Sequence, residues 1–131
     1  MNVITETSKF TVPEVKEGET YIGAIIKADG TGNHIILLPG DNDDANWQAI
    51  MDWQAAMDWA KSIGGDLPDR VEQALMFSDH KDLFKVDWCW SNTQHAPDAS
   101  CAWFQSFIYG RQNHYSKSAG LRARAVRRLP I

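Results

Sequence analysis

The side chains able to do chemistry are few and poorly grouped. Cys89 and Cys101 are the two thiols. Their number and spacing suit neither a disulfide framework nor a zinc pattern, so both are read as buried free thiols of a reducing compartment. Each sits between aromatics in a predicted strand, where a thiol is usually inert packing. A distant histidine could still make one of them a nucleophile. His34, His80, His95 and His114 lack metal-ligand spacing, and His80, beside Asp79 near a predicted helix end, suits the helix dipole. Asp41-Asn42-Asp43-Asp44 opens like a calcium loop. Asn46 stands where the sixth-position glycine belongs, and no glutamate follows at the twelfth. No phosphate loop, dinucleotide fingerprint, HExxH or GxSxG motif occurs. The sequence therefore predicts no catalytic residues, no metal and no cofactor.

A different chemistry gathers between Trp90 and Ser118. Trp90, Trp103, Tyr109 and Tyr115 are interleaved there with amides, hydroxyls, His95, His114 and Arg111. Rigid amphipathic rings among small polar groups form a recognition composition like that of antibody loops. The alternation also fits a sheet whose aromatics fill a core. On a two-residue period, Trp103, Gln105 and Phe107 share one face and Phe104 and Ser106 the other.

The chain has 131 residues, 44% hydrophobic and 23% charged, with six tryptophans. That suits one soluble domain with its own core. The longest apolar runs, Ala24-Ile25-Ile26 and Ile35-Ile36-Leu37-Leu38, are too short to cross a membrane. No basic-then-apolar leader opens the sequence, so export by the usual route is not expected. Residues 1–66 carry 11 acids against 4 bases, and residues 67–131 carry 6 against 9. No acid follows Asp98. Two mutually attracting halves of one domain account for this asymmetry. An overall pI near 5.4 argues against a general nucleic-acid binder.

The elements that must position these residues follow from periodicity. Residues 1–18 read as a lead-in or short edge strand. Tyr21–Lys27 and His34–Leu38 form a hairpin about the turn Asp29-Gly30-Thr31-Gly32-Asn33. The acids Asp41, Asp43 and Asp44 start a helix from Trp47 to Ile63, whose face is Ile50, Trp53, Met57, Ala60 and Ile63, and Gly64-Gly65 ends it. Inside this stretch Trp47–Asp52 is nearly repeated by Trp53–Asp58. Six residues rotate a helix by about 600°, so the two copies face differently, and one of Trp47 and Trp53 should be the more exposed. Asp69 with Glu72 is a capping-box pattern opening a second helix, with Ala74, Leu75, Phe77 and Leu83-Phe84 as its apolar face. Then come four strands: Trp88–Ser91, Ala102–Phe107, His114–Ser116 and Leu121–Leu129. Helices followed by consecutive short strands indicate an α+β domain with an antiparallel sheet. Trp59, Trp88, Trp90 and Trp103 are expected to be mostly buried.

Trp53-Gln54-Ala55-Ala56-Met57-Asp58-Trp59-Ala60-Lys61-Ser62-Ile63-Gly64-Gly65-Asp66-Leu67-Pro68-Asp69-Arg70 resembles the helix and "GG-LP-R" signature of a bacterial and phage domain family. Trp88-Cys89-Trp90-Ser91, Ala102-Trp103-Phe104-Gln105 and Arg122–Leu129 are similar to its later landmarks, in order. That family includes the C-terminal domain of bacterial collagen-like adhesins (the Lcl domain). It is related to the formylglycine-generating-enzyme-like branch of C-type lectin folds and to the variable proteins of diversity-generating retroelements. The resemblance covers roughly residues 20–131.

It implies a C-type lectin-like domain over residues 19–131, with two helices packed on a twisted antiparallel sheet, and binding more than catalysis. The chain has Trp90-Ser91-Asn92 and no Glu-Pro-Asn, so calcium-dependent sugar binding is not carried over. The cysteines match no oxidase motif. In such folds the ligand commonly meets the late strands and their loops. The candidate binding residues are therefore Asn92, Gln94, His95, Gln105, Ser106, Tyr109, Arg111, Asn113 and Tyr115. A competing surface is the acidic face of the first helix, with Asp41, Asp43, Asp44, Asp52 and Asp58. The expected role is that of a non-enzymatic phage or mobile-element protein in the bacterial cytoplasm, gripping a protein partner such as a host defence component. The alternatives are a virion or surface domain that recognises a receptor or glycan, and a formylglycine-generating type of thiol oxidase. Neither membrane nor nucleic acid is expected as a partner.

Overall fold

The β-branched runs near the start of the chain pair as expected, and the last strand of the chain's described elements joins the same sheet. The structure, a computed structural model, describes residues 11–39, 50–84 and 87–131. Strand β1 (Thr20–Ile26) lies antiparallel to β2 (Gly32–Leu37), with a bulge between Tyr21 and Gly23. Residues 11–18 form no strand. Next come α1 (Trp53–Ser62), α2 (Arg70–His80) and a 3-10 turn at Lys81–Leu83. Strands β3 (Trp88–Gln94), β4 (Cys101–Ser106), β5 (Gln112–Ser116) and β6 (Val126–Pro130) complete the described elements. The architecture is α+β, with two helices and two three-stranded antiparallel sheets, β1-β2-β6 and β3-β4-β5.

Two sequence expectations need correction here. The late strands do not form one sheet, because β6 leaves them to pair with β2, matching Leu37 to Val126 and Asn33 to Pro130. Leu121–Leu129 is accordingly not one strand. Its first part passes between the sheets and changes partner every residue or two. Leu121 exchanges backbone hydrogen bonds with Met51, Arg122 with Trp88 and Trp90, and Val126 with Asp66, while Ala125 O accepts from Leu38 N. A segment serving both sheets cannot keep one ladder's register.

The first helix also starts later than its periodicity suggests. Asp52 is its N-cap and accepts from Ala55 N at 2.8 Å. Met51 is held in an extended bridge to Leu121. The second copy of the near-repeated hexamer therefore opens the helix, and Ile50, Met51 and Asp52 at the end of the first copy precede it. Trp47, Asp41, Asp43 and Asp44 lie outside the described residues. Trp53 is half-buried and donates from Nε1 to Ser91 O at 2.8 Å. The buried residues of α1 are Ala56 and Ala60, and Ile63 is exposed. Gly64 follows the helix at φ 86°, the left-handed conformation glycine takes at low cost.

Helix α2 begins as its sequence states. Asp69 Oδ1 accepts from Glu72 N, and Glu72 Oε1 accepts from Asp69 N, both at 2.8 Å. Its fully buried residues are Glu72, Gln73 and Met76; of the expected apolar face, Leu75 and Phe77 pack partly buried against the core and Phe84 is buried, whereas Ala74 and Leu83 are exposed. Two polar residues go inside because each has backbone or charge to satisfy. Gln73 Nε2 donates to Cys89 O and Trp90 O. Glu72 meets Arg128, whose Nε reaches Glu72 Oε2 at 2.6 Å and whose Nη1 reaches Asp66 Oδ2 at 2.9 Å. His80 Nε2 lies 2.7 Å from Ile22 O, tying the helix end to β1.

Two apolar clusters result. One packs α1 against Trp90, Ala102, Phe104 and the passage Leu121–Ala125. The other packs Met76 and Phe84 against Ile22, Ile35, Leu37, Cys89, Phe107 and Val126. Trp90 is completely enclosed, whereas Trp59, Trp88 and Trp103 are only partly buried.

The opposite charges of the two halves do meet. Arg127 donates from Nε and Nη2 to the Glu19 carboxylate, both at 2.8 Å, and Arg128 reaches Asp66. The Arg127 hydrogen bonds, helped by Lys16, pull Glu19 from its ordinary 4.5 down to about 2. A carboxylate with a depressed folded-state pKa stabilises above its unfolded pKa and loses that contribution as pH falls towards the folded value. Glu19→Gln should therefore melt below wild type at pH 7, and the gap should close between about pH 4.5 and pH 2. A gap that stays constant across thermal melts in that window would show that the charge of Glu19 contributes nothing.

Candidate interaction surface

The hairpin joining β4 to β5 is built from inside by two polar residues that were expected on the binding surface. Gln105 and Ser106 are fully buried. Gln105 Nε2 donates to Ser106 O and Gly110 O, both at 2.9 Å. Ser106 Oγ accepts from Ile108 N and Tyr109 N, both at 3.2 Å. Both faces of β4 are covered, one by α2 and the other by the α1 core, so neither side chain reaches a partner. These two residues position the surface and do not belong to it.

What they position is Tyr109. Gly110 turns the chain at φ 82°, and a Cβ there would fall 2.4 Å from Phe77 Cε2. The turn is thus pressed onto α2, and Tyr109 projects from its tip, 76% exposed beside Ile108 at 42%. Arg111 is also exposed, its guanidinium 5.9 Å from the Tyr109 ring centroid.

The other candidates divide between the two faces of the β3-β4-β5 sheet. Tyr115 is 47% exposed and packs edge-on to Trp88 and Phe104 on the α1 side. Asn113 is exposed on that same side, and its Oδ1 accepts from His114 N at 2.8 Å. His95 lies on the opposite face, stacked on His114 with centroids 3.9 Å apart and set edge-on to Trp103. Gln94 is exposed and accepts from Lys117 Nζ at 2.6 Å, while that ammonium also sits 4.5 Å above Trp53. Asn92 is half-buried and donates to Asp66 Oδ2, which makes it part of the Arg128 network. The structure therefore brings Tyr109 and Arg111 together at the hairpin tip and spreads the rest over two faces.

Sequence reasoning missed a hollow of about 570 Å³ beside the start of α2, lined by Asp69, Arg70, Val71, Ala74, Thr93 and Gln112. Arg70 lies across Trp103 with its guanidinium carbon 3.5 Å from the ring centroid. Gln112 clamps Arg70 from β5, accepting from Nε at 3.0 Å and donating to Arg70 O at 2.6 Å. The one local signal was an arginine directly after an N-cap. Nothing local announced the glutamine 42 residues away.

On the competing surface, Asp52 is used as the α1 cap, and Asp58 accepts from Gln54 Nε2 at 3.0 Å. Cys89 is buried and is not in a disulfide. Cys101 is free but only partly buried, which departs from the expectation of two enclosed thiols, and its Sγ lies 3.7 Å from Asp98 Oδ2. Among the described residues no helix is long and apolar enough to cross a membrane, and no three metal-binding side chains are grouped. Set against protein-family models and curated proteins, the chain matches no family model and no curated sequence.

Proposed function

We propose that this chain is a C-type lectin-like binding module of phage or mobile-element origin that grips a protein of the bacterial host, such as a defence component, and catalyses no reaction. The observation that carries the reading is Tyr109, an aromatic held out at 76% exposure on a turn whose anchors are buried. Tyrosine and arginine on a rigid base supply contact area at low entropic cost and dominate interface hot spots.

The thiol-oxidase reading has less support. Cys89 is opposite Gln105 in the β3–β4 ladder, and Cys101 lies four residues further along β4. Four residues of strand span roughly 13 Å, well beyond the reach of a cysteine pair.

The test is affinity capture from bacterial lysate with mass spectrometry, using wild type and two double variants. Tyr109→Ala with Arg111→Ala should weaken retention of the captured protein by about thirtyfold, the equivalent of one hot spot of about 2 kcal/mol. Asp52→Lys with Asp58→Lys should retain it. The reverse pattern would move the contact to α1. Capture of a phage structural protein would favour a virion role.

A further inference from the structure

The hollow beside α2 contains a cation without a counter-ion among the described residues. Arg70 makes no ion pair among the described residues, and its one side-chain hydrogen bond uses Nε. Both terminal amino groups are left over, with four N–H donors in a fixed plane. The nearest acid in the chain, Asp69, is committed to capping Glu72 N. Glu72 is in turn enclosed by Arg128. The chain that faces Arg70 from β5 contributes Gln112, and no acid occurs anywhere after Asp98. Beside the polar Asp69, Thr93 and Gln112, the hollow has an apolar wall of Val71, 61% exposed, and Ala74, also exposed.

We propose that this hollow receives an acidic side chain of a protein partner, with its carboxylate on the terminal amino groups of Arg70 and an adjoining apolar side chain against Val71 and Ala74. A guanidinium fork matches a carboxylate with two parallel hydrogen bonds. Stacking on Trp103 and the Gln112 clamp fix the arginine before the partner arrives, so little rotamer freedom remains to be lost. An open hollow with an apolar wall at Val71 and Ala74, and a guanidinium outside any ion pair of the described residues, suits an acid flanked by an aliphatic residue. The inference rests on the protein-binding reading and names a second contact, whose Gln112 clamp follows Arg111 directly in the chain.

Titration of the isotope-labelled full chain, followed by amide and indole shifts, tests it. The probes are the capped peptide Ac-Leu-Asp-Glu-Leu-NH2, its uncharged counterpart Ac-Leu-Asn-Gln-Leu-NH2, and inorganic phosphate. The acidic peptide should shift Arg70, Val71, Thr93, the Gln112 side chain and the Trp103 indole in a saturable way. It should bind at least tenfold more tightly than the amide peptide and than phosphate. Arg70→Gln should lose at least tenfold in affinity, and so should Val71→Glu, an exposed change that places a negative charge on the rim and decides the matter if Arg70→Gln does not fold. Equal binding of the two peptides, tighter binding of phosphate, or unchanged binding by the folded variants would each overturn the proposal. Capture of the lysate partner that survives Arg70→Gln but not the Tyr109 and Arg111 variant would sink this site and leave the broader reading standing. Peptide shifts without any captured protein would do the opposite.

Discussion

Replacing Trp90 by alanine should come close to unfolding the protein. Trp90 is 0% exposed, and the residues closing around it include Ala56, Ala60, Ala102, Ala123 and Ala125. Small neighbours make room for a large ring, and they cannot expand into the space it leaves. Its Nε1 also donates to Met51 O at 2.9 Å, so the variant removes one of the two hydrogen bonds which that carbonyl accepts and leaves it the one from Leu121 N. Loss of a buried tryptophan costs about 3–5 kcal/mol, out of a total stability of about 5–15 kcal/mol for a typical domain. For a chain of this length that corresponds to a fall of roughly 10–20 °C in melting temperature, or to no cooperative melt at all. Circular dichroism melts decide the matter, and an unchanged melting temperature would remove Trp90 from the core and return it to the binding surface.

The second large effect belongs to Arg128. One guanidinium there makes two bonds to Glu72, one to Asp66 and one to Leu67 O. Glu72 has 3% of its side chain exposed, and the two carboxylates hold the Arg128 pKa above its ordinary value. Arg128→Met would leave the Glu72 charge buried with only the Asp69 N–H for company, and breaking such a pair from one side costs about 3–5 kcal/mol. Arg128→Lys should recover little, because an ammonium cannot reproduce the planar fork. Adding Glu72→Gln to Arg128→Met should restore part of the loss, since the amide oxygen still caps the helix and no charge is stranded. Urea unfolding of the four proteins of this cycle gives the coupling directly. A double variant no more stable than Arg128→Met would mean that Glu72 is not the charge being neutralised.

Local features of the fold were legible in the sequence. The β1–β2 hairpin, the Asp69 and Glu72 capping box and the glycine after α1 each depend on residues within a few positions of one another. What was not legible depends on distance along the chain. Arg128 meets residues more than fifty positions earlier, and the partner of Arg70 is on another strand. Gln105 and Ser106 were misplaced for a related reason. Alternation reports which side of a strand a residue occupies, but it does not report whether that side is covered. Both sides of β4 are covered, so its polar residues became clamps on the hairpin backbone. The α1 boundary was misjudged because periodicity extends through Ile50, while the backbone of Met51 was already taken by Leu121. Tyr109 and Arg111 were found because a turn displays its residues whatever the strands around it do.

The pairing of β6 with β2 also has a consequence for how the protein is made. About ninety residues separate Leu37 from its partner Val126, and β6 comes after every other described element. While the chain is being synthesised, β2 therefore keeps an open edge next to Ile35, Ile36 and Leu37, the kind of edge that recruits other strands. Synthesis of β6 is followed by one late, non-local step that shuts this edge and joins the two sheets. Until that step is complete, the open edge is a site where two newborn chains can pair with each other.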